Sequence, residues 1–363
     1  MSKSSEKSEK KVKSIRIIGS GLIGTSIGLA LAARGVEVEM LDHDRKAQKL
    51  AQDLMATKVS VNPDLILFAA PAGALVELFE EEFKLNPKSI FIDIASVKTK
   101  PQVEISKISG ASARFLATHP MAGREVGGAA SARADLFEGR SWIYCPEYAD
   151  GSKVDLDVVE TGLWLIQTLG AAPISMTASA HDCAVALVSH LPQIVSSLLA
   201  AQLVGGSSSD LELAGAGLRD TTRIAASDPQ LWQEIIASNS SEILPLLINL
   251  QNDLASLISK IDDPEHVGSL IARGNQGRAL IPGKHGGKAR EYSLLPVVIE
   301  DKPGQLAALF DECARAKVNV EDLTIEHSPG QFTGLITLAL SATDADVLRE
   351  HLEKSGWNVH SPR

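Results

Sequence analysis

The sequence contains little cysteine and few aromatic residues, and both shortages exclude classes of protein. Only three cysteines occur among 363 residues, far apart and without a C-x-x-C pair. This excludes a disulfide-stapled scaffold and a cysteine-based metal site, and it is typical of a reducing, cytoplasmic location. Aromatic residues make up only 4% and the net charge is −10, so stacking platforms are scarce and a polyanion would be repelled. We therefore expect no metal and no nucleic-acid partner.

A secretory signal is also missing, and only one segment is long and apolar enough to span a membrane. Residues 1–13 are polar and charged, which predicts a disordered tail. Residues 183–209 contain no Asp, Glu, Lys or Arg, a length sufficient to cross a bilayer. His190, Pro192 and Gln193 interrupt this stretch. It therefore favours a helix buried in a dimer core over a membrane span, and we expect a homodimer with no membrane partner.

Hydrophobic patterning predicts an α/β fold followed by two further domains. Runs rich in β-branched residues at 14–19, 36–41, 64–70 and 89–94 are separated by helical stretches, which predicts a Rossmann-like, doubly wound parallel sheet. We place this dinucleotide-binding domain at 14–173. Strand signals then end, and helical spacing predicts an all-α substrate and dimerisation domain at 174–272.

The last part of the chain returns to strand signals after a linker. Residues 273–290 hold five glycines and five Lys or Arg but no acidic residue, which indicates a basic linker. Nucleic-acid binding by this linker is much less expected than a role as a connector between acidic domains. Residues 291–363 alternate in the order βαββαβ, as in a small ferredoxin-like unit.

A glycine-rich segment after the first strand predicts a dinucleotide site. The motif G-x-G-x-x-G permits a tight turn, lets the backbone approach a pyrophosphate, and packs the helix on the strand. An acidic residue ends the second strand at the spacing expected for ribose hydroxyls. FAAP, at 68–71, offers small residues against a ribose, although it is equally consistent with a buried strand that ends in a turn. The predicted cofactor site comprises Gly19, Gly21, Leu22, Ile23, Gly24, Asp42, Ala70 and Pro71.

The residues around Asp42 bear on the choice of cofactor. A carboxylate at this position would repel the 2′-phosphate of NADP, which favours NAD. Arg45 follows closely and could partly compensate, so NADP stays open.

Four polar motifs interrupt the apolar background and supply candidates for chemistry. DIASVK follows a strand and places Ser96 at its carboxyl end, where α/β sheets bind ligands. His119, in THPMAGRE, could accept a hydroxyl proton beside a nicotinamide. The remaining candidates are Arg124, Glu125, His190, Gln193, Arg219 and Arg223.

Two of these motifs have structural alternatives. His190 is as readily a hydrogen-bonded core residue as a functional one. Arg219, Asp220 and Arg223 could form a solvated ion-pair face. However, two arginines four residues apart on one helix face need an anionic partner, and arginine binds carboxylates bidentately. A substrate carboxylate would meet this need.

At these residues the sequence resembles the prephenate/arogenate dehydrogenases of tyrosine biosynthesis. The resemblance covers about 14–290 and rests on GSGLIG, DIASVK, HPMAGRE, LFEGR, SHLP and RDTTRIAASDP, in the family's order. It implies hydride transfer from C4 of prephenate to NAD⁺ with loss of the ring carboxylate as CO₂. His119 matches the histidine that takes the 4-hydroxyl proton, and Ser96 the serine that orients this hydroxyl. Arg223 matches a carboxylate clamp, and Glu125 an acid near the entrance.

One departure from the family pattern leaves the substrate open. Many members read SHLPH, whereas this sequence has Gln193 in place of the second histidine. A neutral amide offers no positive charge to the pyruvyl group of prephenate but could bond the amino-acid side chain of arogenate. Arg124 stands where several members have a smaller, uncharged residue, and it could restore the charge. Prephenate is favoured, with arogenate as the alternative.

The C-terminal unit resembles an ACT domain through EDKPGQLAALF at 300–310. The resemblance implies feedback control by tyrosine, with an effector site at Asp301, Gly304 and Asn319. A purely oligomerising domain is the alternative.

Two other functions compete with the enzyme. A non-catalytic sensor of dinucleotide and amino acid would not need Ser96, His119 and Arg223 together. A β-hydroxyacid dehydrogenase typically uses a lysine from its helical domain, and no lysine occurs between Lys153 and Lys260.

Overall fold

The computed structural model describes residues 12–57, 62–123, 127–281, 292–327 and 332–362. Arg124, Glu125, most of the predicted tail and 282–290 of the predicted linker lie outside the described residues. Val12, at the end of the predicted tail, is buried in the core, and the Lys13 amide donates to Asp64. The chain divides into two compact units, with the boundary after Asp253. The predicted domain boundaries therefore stay predictions.

A seven-stranded sheet organises the first unit and confirms the predicted fold class. Its strands are β1 (Ser14–Ile18), β2 (Glu37–Leu41), β3 (Leu65–Phe68), β4 (Ile90–Asp93), β5 (Phe115–Pro120), β6 (Ser141–Cys145) and β7 (Ala172–Ser175). The spatial order is β2-β1-β3-β4-β5-β6-β7, and the first five strands run parallel. Their carboxyl ends consequently share one edge of the sheet.

Helices cover both faces of this sheet, because apolar residues of its central strands are buried on both faces. Alternate residues of one strand enter different clusters: Ile15 and Ile17 pack on one face, and Ile18 on the other. Parallel strands buried on both faces read as continuous apolar runs, as these do. The helices are α1 (Leu22–Ala32), α2 (Arg45–Met55), α3 (Ala72–Leu85), α4 (Thr99–Ser106), α5 (Ala111–Arg114) and α6 (Leu156–Thr168).

The direction of the last two strands was not predicted. β6 pairs antiparallel with β5, and β7 pairs parallel with β6. Between β5 and β6 the described residues form one short 3₁₀ turn, Ala129–Ser131, and no crossover helix. A strand that returns without a crossover helix runs antiparallel to its neighbour.

Helices follow the sheet, as the sequence predicts. They are α7 (Ala178–Val185), α8 (Leu191–Ala201), α9 (Ser208–Leu211), α10 (Ala216–Thr222), α11 (Pro229–Ser238) and α12 (Ser240–Ser259). A π-helical turn, Ala186–His190, joins α7 to α8, and 3₁₀ turns occupy Gln202–Gly205 and Arg223–Ala225.

The uncharged stretch is only partly buried within one chain, and its predicted burial in a dimer core stays a prediction. Among the described residues, Ala178–Gly205 is the one helical segment long and apolar enough to cross a membrane, and only 28% of its most apolar window is buried. Leu187, Val188 and Leu198 are more than half exposed. This apolar surface is left uncovered by the chain itself.

The second unit contains a four-stranded antiparallel sheet in the predicted βαββαβ order. Its elements are α13 (Pro264–Ala279), β8 (Ser293–Glu300), α14 (Gln305–Arg315), β9 (Asp322–His327), β10 (Thr333–Leu340), α15 (Ala342–Lys354) and β11 (Asn358–Val359). The strand order is β11-β8-β10-β9. Asp263 caps α13, which continues as far as Ala279 and so occupies the first part of the predicted linker. Alanine and arginine favour helix, and Arg278 lies at the end where the helix dipole favours a cation.

Candidate active site

The glycine-rich turn between β1 and α1 is shaped by three different constraints. Gly19 has φ +116°, and a Cβ there would lie 2.4 Å from the Ala69 carbonyl oxygen. A Cβ on Gly24 would lie 2.2 Å from the Gly19 carbonyl oxygen, so α1 packs directly on the turn. A Cβ on Gly21 would meet no atom within 4 Å. The turn needs Gly19 and Gly24 for its own structure, whereas Gly21 leaves open space over the start of the helix.

The start of α1 has donors without partners. Gly21 caps α1 without a side-chain hydrogen bond, so the amides of Leu22 and Ile23 begin the helix with no partner from a cap. The hydroxyls of Ser20 and Thr25 are buried and have no hydrogen-bond partner. An anion at the positive end of this helix would satisfy such groups.

Asp42 follows β2 and holds the turn from the other side. One of its carboxylate oxygens accepts from the Ser20 amide at 2.6 Å, and the other from the Asp44 amide at 2.9 Å. The oxygen bonded to Ser20 keeps a further lone pair for a ribose hydroxyl, whereas the other also lies 3.0 Å from Nδ1 of His43. Ala70 and Pro71 follow β3 at the same edge of the sheet, where Pro71 is exposed. The open cradle, the orphaned hydroxyls and this carboxylate together fit a dinucleotide with a free ribose 2′-hydroxyl.

His119, at the end of β5, belongs to a hydrogen-bonded chain that continues into α7. Its Nδ1 lies 2.9 Å from Nε2 of His181, and Nδ1 of His181 lies 2.8 Å from Oδ1 of Asp182. The ring of His119 is partly exposed, whereas His181 is fully buried. Asp182 also accepts from the amides of Lys98 and Thr99, both at 2.8 Å, and so caps α4.

The charges in this chain set its protonation. Burial alone would raise the pKa of Asp182, but hydrogen bonds from His181, Thr99 and Lys98 outweigh it and hold the pKa below its usual value. Burial lowers the pKa of His119 well below its usual value, and repulsion from the Lys98 ammonium lowers it further. His119 is therefore neutral, and Asp182 is a carboxylate.

A buried ion pair between Lys98 and Asp93 fixes the loop that carries Ser96. Lys98 is fully buried, and its ammonium bonds the Asp93 carboxylate and, at 2.6 Å, the Thr118 carbonyl oxygen. Asp93 also accepts from the Ala95 amide at 3.0 Å. Ser96 itself is partly exposed at the carboxyl edge of the sheet. Lys98 thus ties this loop to the strand of His119.

His190 is a hydrogen-bonded core residue. It ends the π-helical turn, is 2% exposed, and its Nδ1 lies 3.1 Å from Nδ2 of Asn239. The same amide nitrogen donates to the Asp182 carbonyl oxygen at 2.8 Å, and Trp232 packs edge-on against the imidazole. Because an amide nitrogen can only donate, Nδ1 of His190 accepts and Nε2 carries the hydrogen. Burial lowers the pKa of His190 to about 4.

Gln193 lies beneath the segment that carries the predicted carboxylate clamp. It is buried on α8, and its Oε1 accepts from the Ser227 hydroxyl at 3.3 Å. Arg219 is exposed on α10, and its guanidinium donates to the Ala214 carbonyl oxygen at 3.4 Å. The α-helix ends at Thr222, so Arg223, also exposed, begins the 3₁₀ turn that follows. Arg219 therefore lies in the α-helix, and Arg223 lies in the 3₁₀ turn that follows it.

Sequence reasoning did not single out His181, Asp182 or Asn239. A signal was present, because His181 and Asp182 directly precede the uncharged stretch, and a carboxylate that enters an apolar helix needs a partner. Within the described ranges, no group of three or more His, Cys, Asp or Glu is arranged to hold a metal ion. Arg124 and Glu125 lie outside the described residues.

Two family models match the chain. Residues 27–165 match the nucleotide-binding domain of prephenate dehydrogenase, and residues 177–270 match its dimerization domain. A relative described as a probable prephenate dehydrogenase, NovF of Streptomyces niveus, is 31% identical over 95% of this chain and 99% of its own.

Solved structures share the fold over about three quarters of this chain. A prephenate dehydrogenase from A. aeolicus, in complex with hydroxyphenyl propionate and NAD⁺, is 24% identical with a TM-score of 0.66, over 75% of this chain and all of that one. The arogenate dehydrogenase of Synechocystis is 26% identical with a TM-score of 0.59, over 73% of this chain and 98% of that one.

Proposed function

The chain belongs to the prephenate dehydrogenase family, and we propose that it oxidatively decarboxylates prephenate to 4-hydroxyphenylpyruvate with NAD⁺, in tyrosine biosynthesis. One observation carries the proposal. A neutral, partly exposed imidazole, His119, lies at the same sheet edge as an open glycine cradle, with a free ring nitrogen for a substrate proton.

The hydrogen bonds among His119, His181 and Asp182 support one tautomer of His119, in which one ring nitrogen carries no hydrogen. Because Asp182 is a carboxylate, Nδ1 of His181 donates to it, and we propose that Nε2 of His181 is the acceptor that faces His119. Nδ1 of His119 then donates to His181, so Nε2 of His119 carries a lone pair. This tautomer accepts the proton of the 4-hydroxyl. The oxygen then donates more electron density to C4, which promotes departure of the hydride.

The glycine turn and Asp42 would hold the cofactor. The pyrophosphate would lie over Gly21 on the first amides of α1, and the Asp42 carboxylate would accept from the adenosine ribose. When bound, NAD⁺ supplies the hydride acceptor. Asp42 disfavours a 2′-phosphate, while Arg45 is exposed and bonds Gln48, which leaves NADP as a poorer second choice.

Arg223 and Arg219 are the proposed partners of the substrate carboxylates. Bidentate guanidinium contacts would hold the side-chain carboxylate and leave the ring carboxylate free to depart as CO₂. Ser96 would donate to or accept from the 4-hydroxyl. Arg124 and Glu125, which lie outside the described residues, and the buried His190 and Gln193 are the other proposed substrate-binding residues.

Arogenate is the second candidate substrate, and Gln193 is the observation that favours it. A buried amide at this position offers no charge to a keto acid. The relationship to the Synechocystis arogenate dehydrogenase is of the same order as that to the prephenate enzymes. NADH formation at 340 nm, with prephenate and arogenate each tested against NAD⁺ and NADP⁺, decides between them. Turnover of neither substrate would refute both.

Two further properties belong to the same proposal. The exposed apolar residues of the helical segment would be covered by a second copy of the chain, giving a soluble, cytoplasmic homodimer. The C-terminal βαββαβ unit would act as an ACT-like effector domain for tyrosine. Gly304 opens its first helix with φ +90°, next to Asp301, and Asn319 precedes the next strand.

A further inference from the structure

We propose that His181 and Asp182 act as a proton store behind His119, taking up the substrate's hydroxyl proton during hydride transfer and returning it to the product oxygen. The proposal rests on the proposed function, because it concerns the proton of the same hydroxyl. His181 bonds His119 and Asp182 bonds His181, so both act through His119 and are positioning residues.

The geometry aligns two proton transfers. His119 Nδ1 and His181 Nε2 are 2.9 Å apart, and His181 Nδ1 is 2.8 Å from Asp182 Oδ1. Both are ordinary hydrogen-bond distances. A proton that arrives at Nε2 of His119 can be matched by departure of its Nδ1 hydrogen to His181. The positive charge then rests on His181, in direct contact with a carboxylate.

The surroundings of His119 explain why the charge would move. Among the described residues, the titratable groups that act on His119 besides His181 are Lys98, His190 and Asp182, and of these three Asp182 hydrogen-bonds to the His181 ring. Burial and the Lys98 ammonium oppose a charge on His119. Asp182 is an ionised acceptor, held in place by the amides of Lys98 and Thr99. An imidazolium at His181 is therefore paired, whereas one at His119 is not.

The reaction balance requires storage rather than release. The 4-hydroxyl loses its proton while C4 loses hydride, and the ring carboxylate then leaves as CO₂ with its bonding pair entering the ring. The product oxygen becomes a phenolate and takes back one proton. The overall reaction is therefore prephenate plus NAD⁺ to 4-hydroxyphenylpyruvate, CO₂ and NADH, with no net proton exchanged. A fully buried His181 suits a proton that returns to the oxygen it left.

The His181→Gln variant separates storage from simple positioning. A glutamine oxygen can accept from Nδ1 of His119 and keep its tautomer, but it cannot take a proton. We expect kcat to fall about 10- to 100-fold while KM for prephenate changes less than about threefold. The acidic limb of the kcat–pH profile should move to lower pH by about one unit or more, because protonation then falls on His119 alone.

The Asp182→Asn variant tests the charge partner, and its expected effect on kcat and on the acidic limb has the same direction. His351→Gln is the matched control, because it removes another histidine–carboxylate contact, His351 to Glu312 at 2.6 Å, in the second unit. It should leave both readouts unchanged. Circular dichroism and the dissociation constant for NADH establish that each variant is folded.

A second readout does not depend on turnover. In protein labelled with ¹⁵N at histidine, the ring-nitrogen shifts should report a hydrogen on Nδ1 of His119 and, on acidification, the first added proton on His181. A hydrogen on Nε2 of His119 at neutral pH, or a first proton on His119, would overturn the proposal. So would a His181→Gln enzyme with kcat within about twofold of the parent and an unmoved acidic limb. Failure of the parent to oxidise either substrate would instead refute the proposed function.

Discussion

Replacing Gly21 by alanine should weaken cofactor binding strongly without unfolding the protein. Gly21 has φ −75° and ψ −171°, an extended conformation that alanine adopts without strain. No atom lies within 4 Å of the position its Cβ would take, so the methyl group enters open space. That space is where a pyrophosphate would approach the first amides of α1.

The two expected magnitudes differ widely. Alanine is a poorer N-cap than glycine, which costs about 1 kcal/mol of folding free energy or less. A methyl group over the cradle would separate the anion from one or two amide donors, each charge-assisted bond contributing about 1.5–3 kcal/mol. We therefore expect the dissociation constant for NADH to rise about 30- to 1,000-fold, which corresponds to about 2–4 kcal/mol.

Fluorescence titration with NADH and a thermal melt measure the two effects separately. Gly24→Ala is the contrasting variant, since its Cβ would lie 2.2 Å from the Gly19 carbonyl oxygen and 2.9 Å from Cβ of Ala69. Helix α1 would have to shift, at a cost of about 1–3 kcal/mol in stability. If Gly21→Ala bound NADH within about threefold of the parent, the cradle would not be the pyrophosphate site.

Four further changes test other parts of the structure. His119→Asn should lower kcat about 10²- to 10⁴-fold in the NADH assay with the NADH dissociation constant unchanged, and an active variant would exclude His119 as the base. Arg223→Ala should raise KM about 10- to 100-fold with a smaller effect on kcat, because it removes a charge-assisted contact; an unaltered KM would contradict the clamp. The pKa of His190 is about 4 in the folded protein, below that of an unfolded histidine, so the unfolded chain binds the extra proton as pH falls. From pH 7 to pH 5, the free energy of unfolding of the parent should therefore fall by about 2 kcal/mol more than that of His190→Gln, as measured by urea unfolding. Equal pH dependence of the two proteins would refute a buried neutral His190. Leu198→Asp places a charge on the exposed apolar face and should convert a dimer to a monomer in size-exclusion chromatography; a parent that elutes as a monomer would refute the interface.

The sequence predicts the sheet well, because its signals are local. The runs at 14–19 and 36–41 become β1 and β2, and the carboxyl-edge placement of the glycine turn follows from parallel order. The reversal at β6 was not predicted. Pairing direction depends on which edge the chain reaches after β5, and no residue of β6 encodes that by its own pattern.

The sequence predicts a site residue only where the residue type itself indicates a chemical role. His119 and the glycines stand out in sequence, but the partners of His119 do not, because their importance arises from contacts across 62 residues. Lys98 shows the opposite case. It lies two residues after Ser96 in the DIASVK motif, yet it is a fully buried structural cation paired with Asp93. Burial of this kind is set by tertiary packing and cannot be read from neighbours in the chain.

Asp182 unites these features, since one carboxylate orders both halves of the proposed site. Its two oxygens receive the amides at the start of α4, which fixes the end of the loop that carries Ser96. The same group orients His181 and, through it, the ring of His119. The Asp182 carbonyl oxygen accepts from Asn239, which also bonds His190. A single residue of α7 therefore holds His119, the loop of Ser96 and the helical segment in position. Asp182→Asn should disturb both geometry and charge, whereas His181→Gln should disturb proton transfer alone.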